Sequence, residues 1–258
     1  MDAMHRVEML MGTAIAVDVA HPSPGLDVAA LVDNVFTWFD EVDRRFSTYK
    51  PDSEVSRIDR GELSPEAFSD DMRTVLADCE RMRIQTGGYF DAYANRHLDP
   101  SGFVKGWSVQ VASDRLRAAG LVNHCINAGG DVRVCGVAAD GQPWRIGIRH
   151  PWHLDKVAWV VAGSDLAIAT SGTYERGLHV LDPFTGAPAS FLRSVTVTGS
   201  DLAIADAYAT AAVAMGERGL DWLATIDGCE CAAVTEDGDA FRSDGLPAVP
   251  AHRTDRPA

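Results

Sequence analysis

The spacing of apolar residues changes along this chain, and that change limits the folds open to it. Over residues 27–45 and 70–86, apolar side chains recur three and four positions apart, as on one face of a helix. From residue 122 onward, most apolar runs are short and are separated by Gly, Asn or Pro, which is typical of strands. Early helices followed by a run of strands predict an α+β fold.

The same patterns predict where each element lies. The expected helices cover residues 27–45, 70–86, 106–120, 202–215 and 220–224. The expected strands cover residues 7–19, 122–127, 131–134, 144–148, 158–162, 166–171, 179–181, 193–197, 231–235 and 239–242. No repeat and no long linker divides the chain. We therefore expect residues 1–258 to form a single domain with a loose tail over residues 247–258.

Composition and charge exclude several classes of function. The chain has 258 residues, a formal net charge of −14 and an isoelectric point near 4.9. Nucleic acids and anionic membranes recruit clustered Lys and Arg, so this balance argues against both, whereas a local pocket can still hold a small anion. The chain has no long apolar run, no signal-peptide pattern and no paired cysteine framework. We expect a cytoplasmic protein that neither binds nucleic acid nor inserts into a membrane.

The densest group of chemically useful residues lies between positions 170 and 186. It contains Ser171, Gly172 and His179, followed by an Asp182-Pro183 turn. A lone strand histidine is more often structural than catalytic, but the surrounding hydroxyls favour His179 as a general base. Hydroxyls and a glycine at Ser171 and Gly172 suit close contact with an anionic substrate.

A second pair of residues suggests a metal site. Asp206 and Thr210 are four positions apart in a predicted helix rich in alanine, so they share one face of that helix. A carboxylate and a hydroxyl are hard oxygen ligands of the kind that Mg²⁺ takes together with phosphates. A hydrogen bond on the helix surface explains the same pair without a metal. The sequence leaves both interpretations open.

Four further segments have a structural and a functional interpretation. Residues 46–57 are either a polar loop after the first helix or a place where Tyr49 stacks on a flat ring. Residues 87–92 either end the second helix or bring the backbone close to a ligand. Residues 99–107 either cap the third helix or form an anion site at its N-terminus. For residues 127–131, a tight glycine turn is favoured over close contact with a ligand.

In their order along the chain, these motifs resemble the ApbE family of FAD:protein FMN transferases. No single motif is specific, whereas the ordered set is, and it covers nearly the whole chain. The set comprises Met11-Gly12-Thr13, Phe46-Ser47-Thr48-Tyr49, Gly88-Tyr89-Phe90-Asp91, Lys105-Gly106, Asn127-Ala128-Gly129-Gly130-Asp131, Thr170-Ser171-Gly172, residues 179–186 and Ala205-Asp206-Ala207.

The resemblance implies a two-lobed α+β fold, related to the T-fold, with FAD in a cleft between the lobes. It implies Mg²⁺-dependent transfer of FMN from FAD to a Thr or Ser hydroxyl of an acceptor protein, with release of AMP. Mg²⁺ would be held by Asp206, Thr210 and the backbone carbonyl of Gly102, and His179 would be the base. FAD would contact Met11, Tyr49, Tyr89, Phe90, Asp91, Asp99 and Lys105, with Ser171 and Gly172 nearby.

Two other functions fit the same residues. In a hydrolase, water would replace the acceptor hydroxyl and FAD would be cut to free FMN and AMP. In a binding or carrier protein, FAD would stay intact. The presence of His179, Asp206 and Thr210 favours an enzyme over a carrier.

Overall fold

The computed structural model describes residues 4–153, 155–173 and 180–250, and it combines helices with two antiparallel sheets. Helices α1 to α6 span Val28–Phe46, Glu54–Asp59, Asp70–Gln85, Ser101–Ala118, Leu202–Met215 and Arg218–Leu223. Strands β1 to β11 span Met4–Leu10, Thr13–Val19, His124–Ala128, Asp131–Cys135, Trp144–Arg149, Val157–Gly163, Asp165–Gly172, Leu192–Gly199, Glu230–Thr235, Ala240–Arg242 and Ala248–Val249. The predicted α+β class is confirmed.

The larger sheet has eight strands in the order β1-β2-β3-β4-β7-β8-β9-β10, and the smaller has the order β11-β6-β5. Alternation along β7 shows how the layers stack, because successive side chains of a strand point to opposite faces. Ala167 and Ala169 belong to the main core with α1, α4 and α5, whereas Ile168 packs in a second cluster with Ile148 and Val161. The large sheet therefore lies between a helical layer and the small sheet.

Helices α1 and α5 each have a side-chain cap at the N-terminus. Asp27 accepts a hydrogen bond from the backbone N–H of Ala30, and Arg44 and Arg45 occupy the last turn of α1. Asp201 likewise caps α5 by accepting from Ile204, and Gly216 ends it with a φ of 64°. In the described part of the chain, no helix combines the length and apolarity needed to cross a membrane.

Two predicted elements differ in their bounds. The single strand expected over residues 7–19 is a hairpin, in which Met11 and Gly12 form a two-residue turn with φ of 53° and 72°. The helix expected from Gly106 begins at Ser101, because burial of Phe103 and Val104 against the core outweighs the weak helix propensity of the Ser-Gly start.

Three other segments were also predicted wrongly or fall outside the description. Residues 54–59 form α2, capped by Ser53, instead of loop. The tail expected to be loose from residue 247 contains β11, which pairs with β6. In the strand expected over 179–181, His179 lies outside the described residues and Leu181 makes only an isolated bridge to Pro188.

Candidate active site

A cavity of about 750 Å³ lies on the helical side of the large sheet and is lined by segments from most of the chain. Its volume is in the range of small-molecule and cofactor sites. Twelve of the thirteen site residues expected from the sequence line it, and the thirteenth, His179, lies outside the described residues. The twelve are Met11, Tyr49, Tyr89, Phe90, Asp91, Asp99, Gly102, Lys105, Ser171, Gly172, Asp206 and Thr210.

Met11 and Tyr49 reach the cavity from two different turns. Met11 is in the tip of the first hairpin, where a non-glycine residue with positive φ is uncommon. Its sulfur accepts a hydrogen bond from Ser108 Oγ at 3.9 Å. Tyr49 follows the C-terminus of α1 and is 94% exposed, so its ring is free to lie against a flat ligand at the rim. The polar loop expected here is thus also part of the cavity wall.

The segment after α3 combines a helix ending with a cavity wall. Gly87 and Gly88 have φ of 62° and 91°, which turns the chain out of the helix. Thr86 Oγ1 then accepts the backbone N–H of Phe90 at 2.9 Å, and this bond fixes the wall residues that follow. Tyr89 packs edge to face on Phe184, with ring centroids 4.9 Å apart. The segment therefore ends α3 and lines the cavity, and its contact with a ligand stays a prediction.

The N-terminus of α4 points its first turn at the cavity. Asp99 Oδ1 accepts the backbone N–H of Ser101 at 3.0 Å, and Ser101, Gly102 and Lys105 all line the cavity. The positive end of the helix dipole favours an anion at such a place. The early start of α4 places Lys105 in the second turn, where it also lines the cavity and its ammonium pairs with Asp131.

Helices α4 and α5 cross in direct contact beside the cavity. A Cβ on Gly106 would lie 2.5 Å from the carbonyl oxygen of Leu202 and 2.8 Å from Asp206 Cβ, which only glycine avoids. The close approach lets the backbone N–H of Gly106 donate to Asp206 Oδ2 at 3.0 Å. One turn earlier, Gly102 faces Thr210. This crossing makes Asp206 a buried carboxylate instead of part of a helix surface.

Three charged groups meet at the cavity wall, where Lys105 and Asp206 line the cavity and Asp131 lies behind them. Lys105 Nζ lies 2.6 Å from Asp131 Oδ2, and both carboxylates, Asp131 and Asp206, are buried. Burial raises the pKa of Asp206 well above its ordinary value, the negative charge of Asp131 raises it further, and Lys105 opposes both. A cation that binds here would favour the ionised form of Asp206.

The sequence profile of the ApbE family matches residues 11–96 and 93–233, which together cover most of the chain. The chain belongs to the ApbE family.

Relatives within the ApbE family extend the match to nearly full length. A Vibrio cholerae protein named FAD:protein FMN transferase is 30% identical over 278 aligned residues, covering 84% of this chain and 83% of that protein. The solved structure of the flavin transferase ApbE from Vibrio cholerae has a TM-score of 0.83 and 27% identity, covering 94% and 97% of the two chains. The apo flavinyl transferase ApbE from Pseudomonas stutzeri has a TM-score of 0.82 and 25% identity, covering 94% and 95%.

The oxygen donors of this ApbE site fit Mg²⁺. Asp206 supplies a carboxylate, Thr210 Oγ1 lies 3.2 Å from Ser171 Oγ, and all three residues line the same cavity. Across residues 4–153, 155–173 and 180–250, no three His, Cys, Asp or Glu side chains cluster as a metal site. One carboxylate beside hydroxyls suits an ion that keeps several waters and shares phosphate oxygens, as Mg²⁺ does, better than Zn²⁺.

One site residue of this ApbE chain was missed by the sequence analysis. Asp131 was assigned to a glycine turn, and the turn is indeed present, since Gly129 and Gly130 have φ of 61° and 101°. The turn explains the two glycines but not the acid that follows them. The two glycines are sufficient for the turn, so the carboxylate that directly follows them was the feature that could have indicated a further role.

Proposed function

We propose that this protein transfers FMN from FAD to a Thr or Ser hydroxyl of an acceptor protein, releases AMP and requires Mg²⁺. One observation carries the proposal: the residues of the flavin and metal motifs, drawn from distant parts of the chain, line one cavity of about 750 Å³. The name of the Vibrio cholerae relative supports the activity.

The residues that line the cavity suit two parts of FAD. Tyr49, Tyr89 and Phe90 provide aromatic surface for the flavin ring, because offset or edge-on ring contacts are favourable. Lys105 and the first turn of α4 provide positive charge for the diphosphate. Asp91 and Asp99 add acceptors for ring and ribose hydrogen-bond donors.

In the proposed reaction, the acceptor hydroxyl oxygen attacks the phosphorus on the FMN side of the diphosphate. The bond from that phosphorus to the bridging oxygen breaks, and AMP leaves with the bridging oxygen. The hydroxyl proton passes to His179, a role that remains a sequence-based hypothesis. Mg²⁺ held by Asp206 and Thr210 would neutralise charge on the diphosphate. Lys105 holds a second positive charge at a fixed place, so positioning and electrostatics supply most of the rate.

The base assignment has its own test. His179→Ala should keep its affinity for FAD and lose transfer by roughly 10²–10⁴-fold, the usual contribution of a general base. Flavin fluorescence measures the affinity, and covalent flavin on an acceptor peptide measures the transfer. A variant that transfers at the rate of the unaltered protein would remove His179 from the mechanism.

The mass of the flavin product tests the function itself. The protein is incubated with FAD, Mg²⁺ and peptides that carry a candidate acceptor Thr, with matched peptides in which Val replaces that Thr. Transfer predicts FMN covalently bound to the Thr peptides only. Free FMN with both peptides would indicate the hydrolase instead. FAD that stays intact across a broad set of acceptors would leave a flavin-binding protein.

A further inference from the structure

Asp131 is a completely buried carboxylate that lies behind the cavity wall. Its Oδ2 is 2.6 Å from Lys105 Nζ, and its Oδ1 accepts the backbone N–H of Thr170 at 3.0 Å. It therefore connects a cavity-lining lysine of α4 to β7, just before the cavity-lining Ser171. Asp131 itself does not line the cavity.

The backbone around Asp131 is held from several sides. It begins β4 directly after the two-residue turn at Gly129-Gly130, and Asn127 Oδ1 accepts the N–H of Gly130 at 2.9 Å. A Cβ on Gly129 would lie 2.5 Å from Thr13 Oγ1, so the turn also packs closely against β2. Asp131 is thus a rigid anchor, whereas a lysine side chain has many rotamers to lose.

We propose that Asp131 is the positioning residue that fixes the ammonium of Lys105 at the cavity wall, where it meets the diphosphate of bound FAD. The inference rests on the proposed function for the identity of the ligand. It has two opposite consequences. The carboxylate competes with the diphosphate for the ammonium, which weakens ground-state binding. It also holds the charge where the diphosphate is cleaved, which favours the transition state.

The variant Asp131→Asn separates these consequences. Asparagine has the same shape and still accepts from Thr170, but it lacks the charge that holds Lys105. In Mg²⁺, we expect kcat for transfer to fall by roughly tenfold or more. FAD affinity is measured in EDTA, without metal, in a protein that also carries Asp206→Asn. This second substitution removes the charge of the other carboxylate near Lys105. There, Asp131→Asn should tighten FAD binding by about threefold or more, since the ammonium is released to the ligand.

Lys105→Met and Asp165→Asn provide the controls. If Asp131 acts through Lys105, Asp131→Asn should have no further effect on affinity or kcat once Lys105 is methionine. Asp165 pairs with the buried Arg133 and does not line the cavity, so Asp165→Asn should leave both values unchanged. Thermal unfolding of every variant shows how much folded protein each assay contains.

Two results would overturn the inference. Weaker FAD binding by the Asp131→Asn variant would indicate a structural role only, and equal effects with and without Lys105 would show that Asp131 acts elsewhere. If the unaltered protein binds FAD without transferring FMN, the proposed function fails. The affinity cycle at Asp131 and Lys105 then still decides the positioning role, because it needs no turnover.

Discussion

The backbone N–H of Gly106 donates to Asp206 Oδ2 at 3.0 Å, which ties the crossing of α4 and α5 to the candidate metal site. A methyl group at position 106 would overlap the Leu202 carbonyl, so Gly106→Ala should force the helices apart. We expect a loss of about 1–3 kcal/mol in the free energy of unfolding, the usual cost of overpacking. Urea unfolding measures it.

Gly102→Ala is the matched control for stability. Its added methyl would lie 3.4 Å from Thr210 and Phe90 atoms, which is ordinary contact. It should therefore cost clearly less than Gly106→Ala. Equal losses for the two variants would contradict the close-crossing explanation.

Tyr49 should contribute to FAD affinity without contributing to stability. Its ring lies at the cavity rim and is 94% exposed, so Tyr49→Ala removes little buried surface. Loss of an aromatic contact worth about 1 kcal/mol should raise the Kd for FAD by roughly fivefold. Flavin fluorescence titration measures the change. Tyr93, also an exposed tyrosine but not a lining residue, should tolerate alanine with no effect on Kd.

Asp206 should control the response to Mg²⁺. Asp206→Asn keeps an acceptor for Gly106 but removes the charge that attracts a divalent ion, so transfer should fall and lose its dependence on Mg²⁺ concentration. Activity is measured across a Mg²⁺ titration. Asp201→Asn, on the same helix, preserves a good N-cap and should leave the titration curve unchanged. A normal curve for Asp206→Asn would remove it as a ligand.

Acid should destabilise the protein through His124. This buried ring contacts Ser113 Oγ and the Leu121 carbonyl, each at 2.7 Å, and burial lowers its pKa from 6.5 to about 4. The unfolded state therefore binds a proton first. The contribution of His124 to the free energy of unfolding is fully present above pH 6.5. It is lost as the pH falls towards 4, and the loss amounts to about 3 kcal/mol at most.

Urea unfolding between pH 4 and pH 8 checks this slope. His124→Gln should be less stable at neutral pH and should lose the part of the acid slope that belongs to His124. His21→Gln, at an exposed position, should keep the slope. An unchanged slope for the His124 variant would show that other groups cause the acid loss.

Sequence signals within a segment were enough to predict a helix whose ends are marked by capping residues. The helix predicted over residues 202–215 has the observed bounds of α5, where Asp201 caps the N-terminus and Gly216 ends the helix. The local signals did not predict the first turn of α4. Ser101-Gly102 has weak helix propensity, and burial of Phe103 against the rest of the core stabilises this turn.

The sequence predicted which residues belong to the site better than it predicted how those residues contact one another. The motif order brought Lys105 and Asp206 into one hypothesis, and the structure places both at one cavity. The ion pair between Lys105 and Asp131 depends on how β4 packs under α4, and no spacing within either segment encodes that. Contacts of this kind follow from tertiary packing alone.

The walls of the cavity come from segments as remote in sequence as the first hairpin at Met11 and α5 at Thr210. Contacts between segments so far apart in sequence generally form slowly. Ligand binding should therefore appear among the last events of refolding, after secondary structure has returned. Recovery of flavin binding is accordingly a stricter measure of native protein than circular dichroism.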